Sequence, residues 1–347
     1  MPSLEVILAG VMLLALTFYA LLGGADFGGG VWDLLARGPR AQARRTLIAD
    51  AIGPIWEANH VWLILVIVIL FTAFPPAFAV IATALHIPLT LMLIGIVLRG
   101  TAFTFRTYDA QTDNVQRRWG RVFAIASVFT PVMLGICVGA IASGRIVVEN
   151  GVVMTGFVRP WLAPFPIAVG GFALALFAFL AAVYLTVEAN EPALRDDFRR
   201  SALLAAVVVG AMALLVFLLS ETGAPRIRAG LSASPWAWPL QIGTGLAATG
   251  AIWALWTRRF YLARALAATQ VALILWGWGA AQFPYLVEPS ISIQDAAAPE
   301  VTLRLLLIAL AVGALLLFPS FYLLFRVFKG EAAFAVLEGR DDHGRGS

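Results

Sequence analysis

The chain has little of what soluble enzymes and metalloproteins are built from. It contains one cysteine, Cys137, three histidines and only 13% charged residues. A single cysteine excludes an intramolecular disulfide and a metal site made of several cysteine ligands. No basic segment precedes the first apolar run and no small-residue cleavage site follows it, so the sequence predicts no cleavable signal peptide.

Apolar residues make up 61% of the sequence, and the mean hydropathy is +0.88. Apolar runs of membrane length recur along the whole chain, which predicts an all-α, polytopic membrane protein. No segment is polar enough to form a large soluble domain, so the chemistry is expected in or beside the bilayer. The pI of 9.6 reflects arginines that follow membrane topology, and it does not predict a nucleic-acid partner.

Hydropathy predicts nine transmembrane helices in one integral membrane domain, residues 1–330, followed by a polar tail, residues 331–347. With this count, all but five of the 24 Lys and Arg residues fall on one side of the membrane. The positive-inside rule then places the N-terminus outside and the C-terminus in the cytoplasm. The predicted helices are 4–24, 55–74, 77–98, 122–143, 163–187, 201–219, 238–256, 262–284 and 303–327.

Glu57 lies about one turn inside the second predicted helix, which reads PIWEANHVWLILVIVILF from Pro54. A carboxylate on a membrane helix is costly unless it faces protein or water, which makes Glu57 a candidate for proton transfer. Two other roles stay open. Glu57 could cap the positive end of its helix, or it could pair with Arg99. His60 shares the face of Glu57, since the two are three residues apart.

Asp26 lies in a glycine run, residues 23–30, near the predicted inner end of the first helix. It is the second candidate for proton transfer, because it lies on the same side of the membrane as Glu57. Gly24 and Gly28 are four residues apart, so a neighbouring helix can approach closely there. The run lacks the lysine of a phosphate-binding loop.

The histidines predict no haem site of this chain's own. His60 is expected ~9 Å and His86 ~20 Å from the inner end of their helices, too far apart in depth to bracket one iron. Each is expected to be a hydrogen-bonded core residue, and His343 lies in the tail. Arg99 and Arg106 are expected to anchor the inner membrane surface, with Arg99 as counter-ion to Glu57 or Asp26 as the alternative.

Several motifs, in this order and spacing, resemble those of subunit II of the cytochrome bd-type quinol oxidases, including their cyanide-insensitive branch. The core Trp56-Glu-Ala-Asn-His-Val-Trp62 is the most specific of them. The matching segments cover essentially the whole chain: GGADFGGG (23–30), IGPIWEANHVWLI (52–64), FTAFPPAFA (71–79), LRGTAFTFR (98–106) and FPYLVEP (283–289).

The resemblance implies a partner, a fold and an activity. Members of the family pair with a haem-bearing subunit I in the bacterial inner membrane, each subunit having nine helices in two four-helix bundles plus one peripheral helix. Subunit I carries the haems b and d and oxidises quinol, and the complex reduces dioxygen to water with protons from the cytoplasm. Subunit II is not catalytic alone and binds no haem or metal. In some members it holds a structural quinone, and small single-helix accessory subunits occur.

The family's acid on the cytoplasmic proton path falls on Glu57, and the acid of its glycine-rich stretch falls on Asp26. Many relatives have aspartate where this chain has Glu57, and some have a second acid where it has Gly23, so a relay of two acids on the first helix is in doubt here. The side chains expected to support the two acids are Trp56, Asn59, His60, Trp62 and Arg99.

Two other hypotheses compete with this one. A secondary transporter would use Asp26 and Glu57 as coupling sites, but it should show inverted repeats with interrupted helices at matching positions, and none is evident. Alternatively, the chain would bind haem itself through His60 or His86.

Overall fold

The computed structural model describes the backbone of residues 3–52, 56–108 and 113–337, and it is mostly helical. A π-helical turn, Tyr19–Gly23, joins the first two α-helices without a break. The α-helices of this part are α1 (Leu4–Phe18), α2 (Gly24–Leu35), α3 (Ala41–Ile52), α4 (Trp56–Asn59), α5 (Val61–Ala73), α6 (Pro75–Ala84), α7 (His86–Tyr108), α8 (Asp113–Ala142), α9 (Pro164–Glu188), α10 (Pro192–Gly223), α11 (Pro225–Ala233), α12 (Ala237–Trp256), α13 (Phe260–Gln282) and α14 (Glu300–Leu337).

Among the described residues, seven helices are long and apolar enough to cross a membrane, or eight if the bent pair α5–α6 counts as one span. This confirms a polytopic helical membrane protein and leaves the predicted count of nine open. The predicted seventh span corresponds to α12, which has 20 residues but is not among the seven. The seven are Leu4–Leu35, His86–Phe105, Arg118–Ala142, Pro164–Glu188, Pro192–Gly223, Phe260–Gln282 and Glu300–Leu324.

The first span is longer than predicted. It runs from Leu4 to Leu35 instead of ending at residue 24, because the glycine run stays helical as α2. Glycine disfavours an isolated helix, but here close packing against neighbouring helices compensates. The prediction that Asp26 lies near the end of its helix is therefore wrong, since nine further helical residues follow it.

Close helix packing explains the glycines of α2. A Cβ atom on Gly28 would lie 1.9 Å from the carbonyl oxygen of Phe177 in α9, and one on Gly30 would lie 2.2 Å from Cβ of Ser127 in α8. A Cβ on Gly24 would lie 2.6 Å from the Phe177 ring, so the predicted close approach at Gly24 and Gly28 is confirmed. The glycines thus let α2 lie directly against both α8 and α9.

The third span begins later than predicted. Pro75 and Pro76 start α6, which bends by 118° from α5, and α7 then begins at His86, so the span is His86–Phe105 and not 77–98. Pro88 explains the break at Leu85, because proline has no N–H to donate to the carbonyl of Ala84. The sequence predicts His86 in the interior of a helix, whereas it is the first residue of α7.

Two short antiparallel hairpins lie between the long helices. Strands β1 (Val148–Glu149) and β2 (Val152–Val153) connect α8 to α9, and β3 (Tyr285–Val287) pairs with β4 (Ile291–Ser292) after α13. The chain divides into two compact units, Met1–Ala298 and Pro299–Ser347. In the second unit α14 stays helical to Leu337, beyond residue 331 where the sequence predicts a polar tail.

Candidate functional site

A hydrogen bond between Asp26 and Asn59 forms the centre of the candidate site. Asn59 Nδ2 donates to Asp26 Oδ2 over 2.6 Å. Both side chains are buried, with 5% of Asp26 and 1% of Asn59 exposed. Helix α2 supplies the acid and the short helix α4 supplies the amide, which brings together two predicted residues that lie 33 positions apart.

Arg99 is the buried cation of this site. Only 1% of the residue is exposed, and its Nε donates to the hydroxyl oxygen of Ser127 over 3.2 Å. Its guanidinium lies over the rings of Phe27, at 4.8 Å, and Phe123, at 5.1 Å. It interacts electrostatically with Asp26. The aromatic faces and the acid together compensate for the loss of water around the charge.

The expectation that Arg99 anchors the inner surface is wrong. Helix α7 continues for nine residues beyond Arg99, to Tyr108, and the side chain of Arg99 is almost fully buried. The alternative role, counter-ion to Asp26, is the one that the contacts support. Nη2 of Arg99 has no hydrogen-bond partner among the described residues. The side chain of Arg106 lies outside the part of the chain that the structure describes.

His60 and Trp62 pack against aromatic rings of the first span. The His60 ring lies 6.0 Å from the rings of Tyr19 and Phe27, and Trp62 stacks on Phe18 at 4.5 Å. Trp62 is 5% exposed. These contacts join the start of α5 to the first span. That the two side chains support the acids stays a prediction.

Glu57 and Trp56 can be placed only by their backbone. Both belong to α4, but their side chains lie outside the described part of the structure. Helix α4 contacts the π-helical turn that precedes Asp26 in the first span. The backbone of Glu57 is therefore close to the Asp26–Asn59 pair, and the direction of its carboxylate stays a prediction.

The rings of the two histidines lie in different surroundings. His86 is exposed at the start of α7, where its Nδ1 lies 3.0 Å from the carbonyl oxygen of Thr83 and its ring contacts Phe157. In the part of the chain that the structure describes, the ring of His60 contacts those of Tyr19 and Phe27 instead. In the described part of the chain, no group of three or more His, Cys, Asp or Glu side chains could hold a metal ion.

A large apolar cavity lies among the helices of the first unit. Its volume is about 490 Å³, and side chains from α1, α8, α9, α10, α11, α12 and α13 line it. Most of the lining is apolar, with a few polar groups that include Ser220, Gln241 and Thr244. Trp278 also lines it, and the indole Nε1 of this residue is buried with no hydrogen-bond partner among the described residues.

Sequence reasoning missed the cavity and three residues around Arg99. Phe27, Phe123 and Ser127 are common residue types in apolar helices, so nothing in their spacing marked them. The one available signal was Arg99 itself. An arginine within a membrane-length helix needs polar or aromatic partners on the neighbouring helices.

Comparison with known proteins gives consistent matches over most of the chain. A family model for cytochrome bd terminal oxidase subunit II matches residues 4–328. A Bacillus subtilis (strain 168) protein described as putative cytochrome bd menaquinol oxidase subunit II is 22% identical over 320 residues, covering 89% of this chain and 91% of that protein. Cytochrome bd-I ubiquinol oxidase subunit 2 of Escherichia coli (strain K12) is 27% identical over 138 residues, covering 40% of this chain and 35% of that protein.

The fold also has a counterpart among solved structures. A chain from the structure of bd oxidase from Geobacillus thermodenitrificans matches with a TM-score of 0.79 and 24% sequence identity. The match covers 94% of this chain and 99% of that one, so the two folds agree over nearly their whole length.

Proposed function

Since the chain belongs to the cytochrome bd terminal oxidase subunit II family, we propose that Glu57 and Asp26 carry protons from the inner face of the membrane toward the oxygen-reducing site of the complex. The chain is an integral inner-membrane protein and a partner of subunit I in a quinol oxidase. The resemblance read from the sequence motifs is thereby confirmed, and the transporter hypothesis has no support.

The Asp26–Asn59 hydrogen bond beside Arg99 is the observation that carries the proposal. A buried acid next to a buried cation can hold a negative charge without facing lipid. Asn59 can donate to Asp26 in either protonation state, because a protonated carboxyl group still has acceptor capacity. The site can therefore take up and release a proton without losing this contact.

Glu57 precedes Asp26 in the proposed path. It shares the four-residue helix α4 with Asn59, and α4 contacts the turn that leads into α2. A proton that reaches Glu57 from the inner face would thus pass to the acid that Asn59 and Arg99 hold. The family resemblance, which implies an acid of the cytoplasmic proton path at Glu57, supports a role for this residue.

Replacing each acid with its neutral amide tests the proposed proton path in the intact complex. Glu57→Gln should slow oxygen consumption while the haem absorption spectrum and the assembly of the complex stay unchanged. Asp26→Asn should slow oxygen consumption per assembled complex, with an unchanged haem absorption spectrum. Glu191→Gln, which changes an exposed acid before α10, is the matched control and should keep full turnover. Full turnover in both test variants would remove these acids from the mechanism.

The redox centres belong, in this proposal, to subunit I. The haems b and d and the site of quinol oxidation would lie there, and this chain would hold no haem. The separate surroundings of His60 and His86 support this division. The visible spectrum of the purified single subunit tests it, since a haem band lost on His60→Ala or His86→Ala would contradict it. Small single-helix accessory subunits are further candidate partners.

The apolar cavity is the proposed place for a structural quinone. Its apolar walls suit an isoprenoid chain, and the Trp278 indole can donate a hydrogen bond to a quinone carbonyl oxygen. A quinone bound there is proposed as structural, because the described side chains that line the cavity include no acid or histidine that could exchange protons with it.

Nine spans with the N-terminus outside remain the proposed topology. The seven apolar helices become nine if the pair α5–α6 supplies the second span and α12 the seventh. Helix α12 has 20 residues, which is ~30 Å and enough to cross. Two four-helix bundles and one peripheral helix would follow in the arrangement that the family resemblance implies.

A further inference from the structure

The connection between α12 and α13 exposes aromatic and basic side chains side by side. Trp256, the last residue of α12, is 72% exposed, and Trp253, one turn earlier, is 50% exposed. Tyr261, in the first turn of α13, is 66% exposed. Arg259 is exposed between them, and its guanidinium lies 5.0 Å from the centre of the Trp253 ring. We call these four residues the aromatic–arginine tip.

Arg259 differs from Arg258, Arg199 and Arg264. Arg258 pairs with Asp196 at 3.1 Å, Arg199 pairs with the same acid at 3.3 Å, and Arg264 lies 3.9 Å from Glu188. Arg259 has no ion pair with any described residue, and its contact is the face of Trp253. Its charge is therefore available to an anion from outside the chain.

We propose that the aromatic–arginine tip binds the phosphate of an anionic phospholipid. Tryptophan and tyrosine rings concentrate at the level of lipid headgroups, where one end of the ring is apolar and the other is wet. A guanidinium matches the geometry of a phosphate with two parallel hydrogen bonds, and stacking on Trp253 holds it in place for that contact. The exposed faces of Trp256 and Tyr261 then lie against the glycerol and acyl chains.

The aromatic residues favour a lipid over free phosphate. A soluble anion would gain nothing from Trp256 and Tyr261, whereas a lipid covers both rings as it binds Arg259. The leaflet follows from the topology proposed above, which places this connection on the cytoplasmic side. The binding itself does not depend on that topology or on the proton path.

Native mass spectrometry of the purified whole complex tests the proposal. The complex is exchanged into nanodiscs of phosphatidylcholine with or without phosphatidylglycerol, and the bound lipids are counted. Wild type should retain phosphatidylglycerol in preference to phosphatidylcholine. Arg259→Gln should lower the affinity for phosphatidylglycerol by about fivefold, which is the contribution of one arginine to binding at an anionic membrane surface. Arg37→Gln, which changes an exposed arginine of the loop after α2, is the control and should weaken the binding less than Arg259→Gln does.

Two further variants separate the parts of the site. Arg259→Lys keeps the charge but loses the planar stack, so it should bind phosphatidylglycerol with intermediate affinity. Trp256→Leu should weaken lipid binding without affecting oxygen consumption. Equal phosphatidylglycerol retention in wild type and Arg259→Gln would overturn the proposal. So would full displacement of the lipid by millimolar inorganic phosphate, which would identify a site for the free anion.

Discussion

Asn59 donates a hydrogen bond to Asp26 in the buried interior, and the two residues come from separate helices. Arg99 completes the group from a third helix, α7, with its charge enclosed by aromatic rings. The three polar side chains are each almost fully buried, so none of them can be changed without leaving its partners unsatisfied. The site is therefore expected to respond to substitution as one unit.

A double-mutant cycle tests this coupling. Arg99→Met should destabilise the complex by about 3–5 kcal/mol, because it leaves the Asp26 carboxylate buried without its cation. Asp26→Asn combined with Arg99→Met should cost less than the sum of the two single changes, since it removes both charges. Stability is measured by the loss of folded complex on heating. Strict additivity would show that Asp26 and Arg99 do not interact.

The helix contact at Gly28 gives a second prediction. Gly28→Ala would place a methyl group 1.9 Å from the Phe177 carbonyl oxygen, so α2 and α9 must move apart. We expect a loss of about 1–3 kcal/mol or more in stability and a lower yield of assembled complex. Gly10→Ala is the matched control, because nothing lies within 4 Å of its added Cβ. Equal yields and melting temperatures for the two variants would contradict the packing described for α2.

Some of the fold could be predicted from the sequence because local signals were strong. Helix α9 was predicted at 163–187 and is observed at Pro164–Glu188, where a continuous apolar run starts at a proline. Helix α13 is displaced by two residues from its predicted range, 262–284. In both cases hydropathy and flanking residues agree on where the helix begins and ends.

Other features could not be predicted because tertiary contacts decide them. The glycines after residue 24 have low helix propensity, and only the approach of Phe177 and Ser127 shows why they stay helical. The candidate site, too, was only partly predictable, because contacts between distant helices complete it. Asp26 and Asn59 were singled out as polar residues on membrane helices, but the burial of Arg99 depends on the rings of Phe27 and Phe123 from two other helices.

The Trp278 indole allows a test of the proposed quinone site. Trp278→Phe removes the buried Nε1 donor with little change in the volume of the cavity, so quinone extracted per purified complex should fall several-fold. Trp161→Phe is the control, since that indole already donates to the Phe157 carbonyl oxygen over 2.8 Å. An unchanged quinone content in Trp278→Phe would contradict a quinone held by the Trp278 indole.

Glu288, in the segment between α13 and α14, is expected to make the stability of the protein depend on pH. Its carboxyl group is 8% exposed and lies 3.6 Å from Nε of Arg226, whose guanidinium also contacts the ring of Tyr285. Its backbone N–H donates to the carbonyl oxygen of Ile141 over 3.1 Å. Burial raises the pKa of Glu288 above its ordinary value of 4.5, and the charge of Arg226 opposes that rise.

The direction of the effect follows from the sign of this shift. Because the pKa of Glu288 is higher in the folded state, the folded protein holds the proton more tightly, and stability falls as the pH rises from about 4.5 through the folded pKa. The melting temperature of wild type relative to Glu288→Gln should therefore fall as the pH rises across this range. Arg226→Gln should extend that fall to higher pH, since it removes the cation that lowers the pKa. A difference in melting temperature between wild type and Glu288→Gln that stays constant with pH would show that this carboxyl group does not titrate differently on folding.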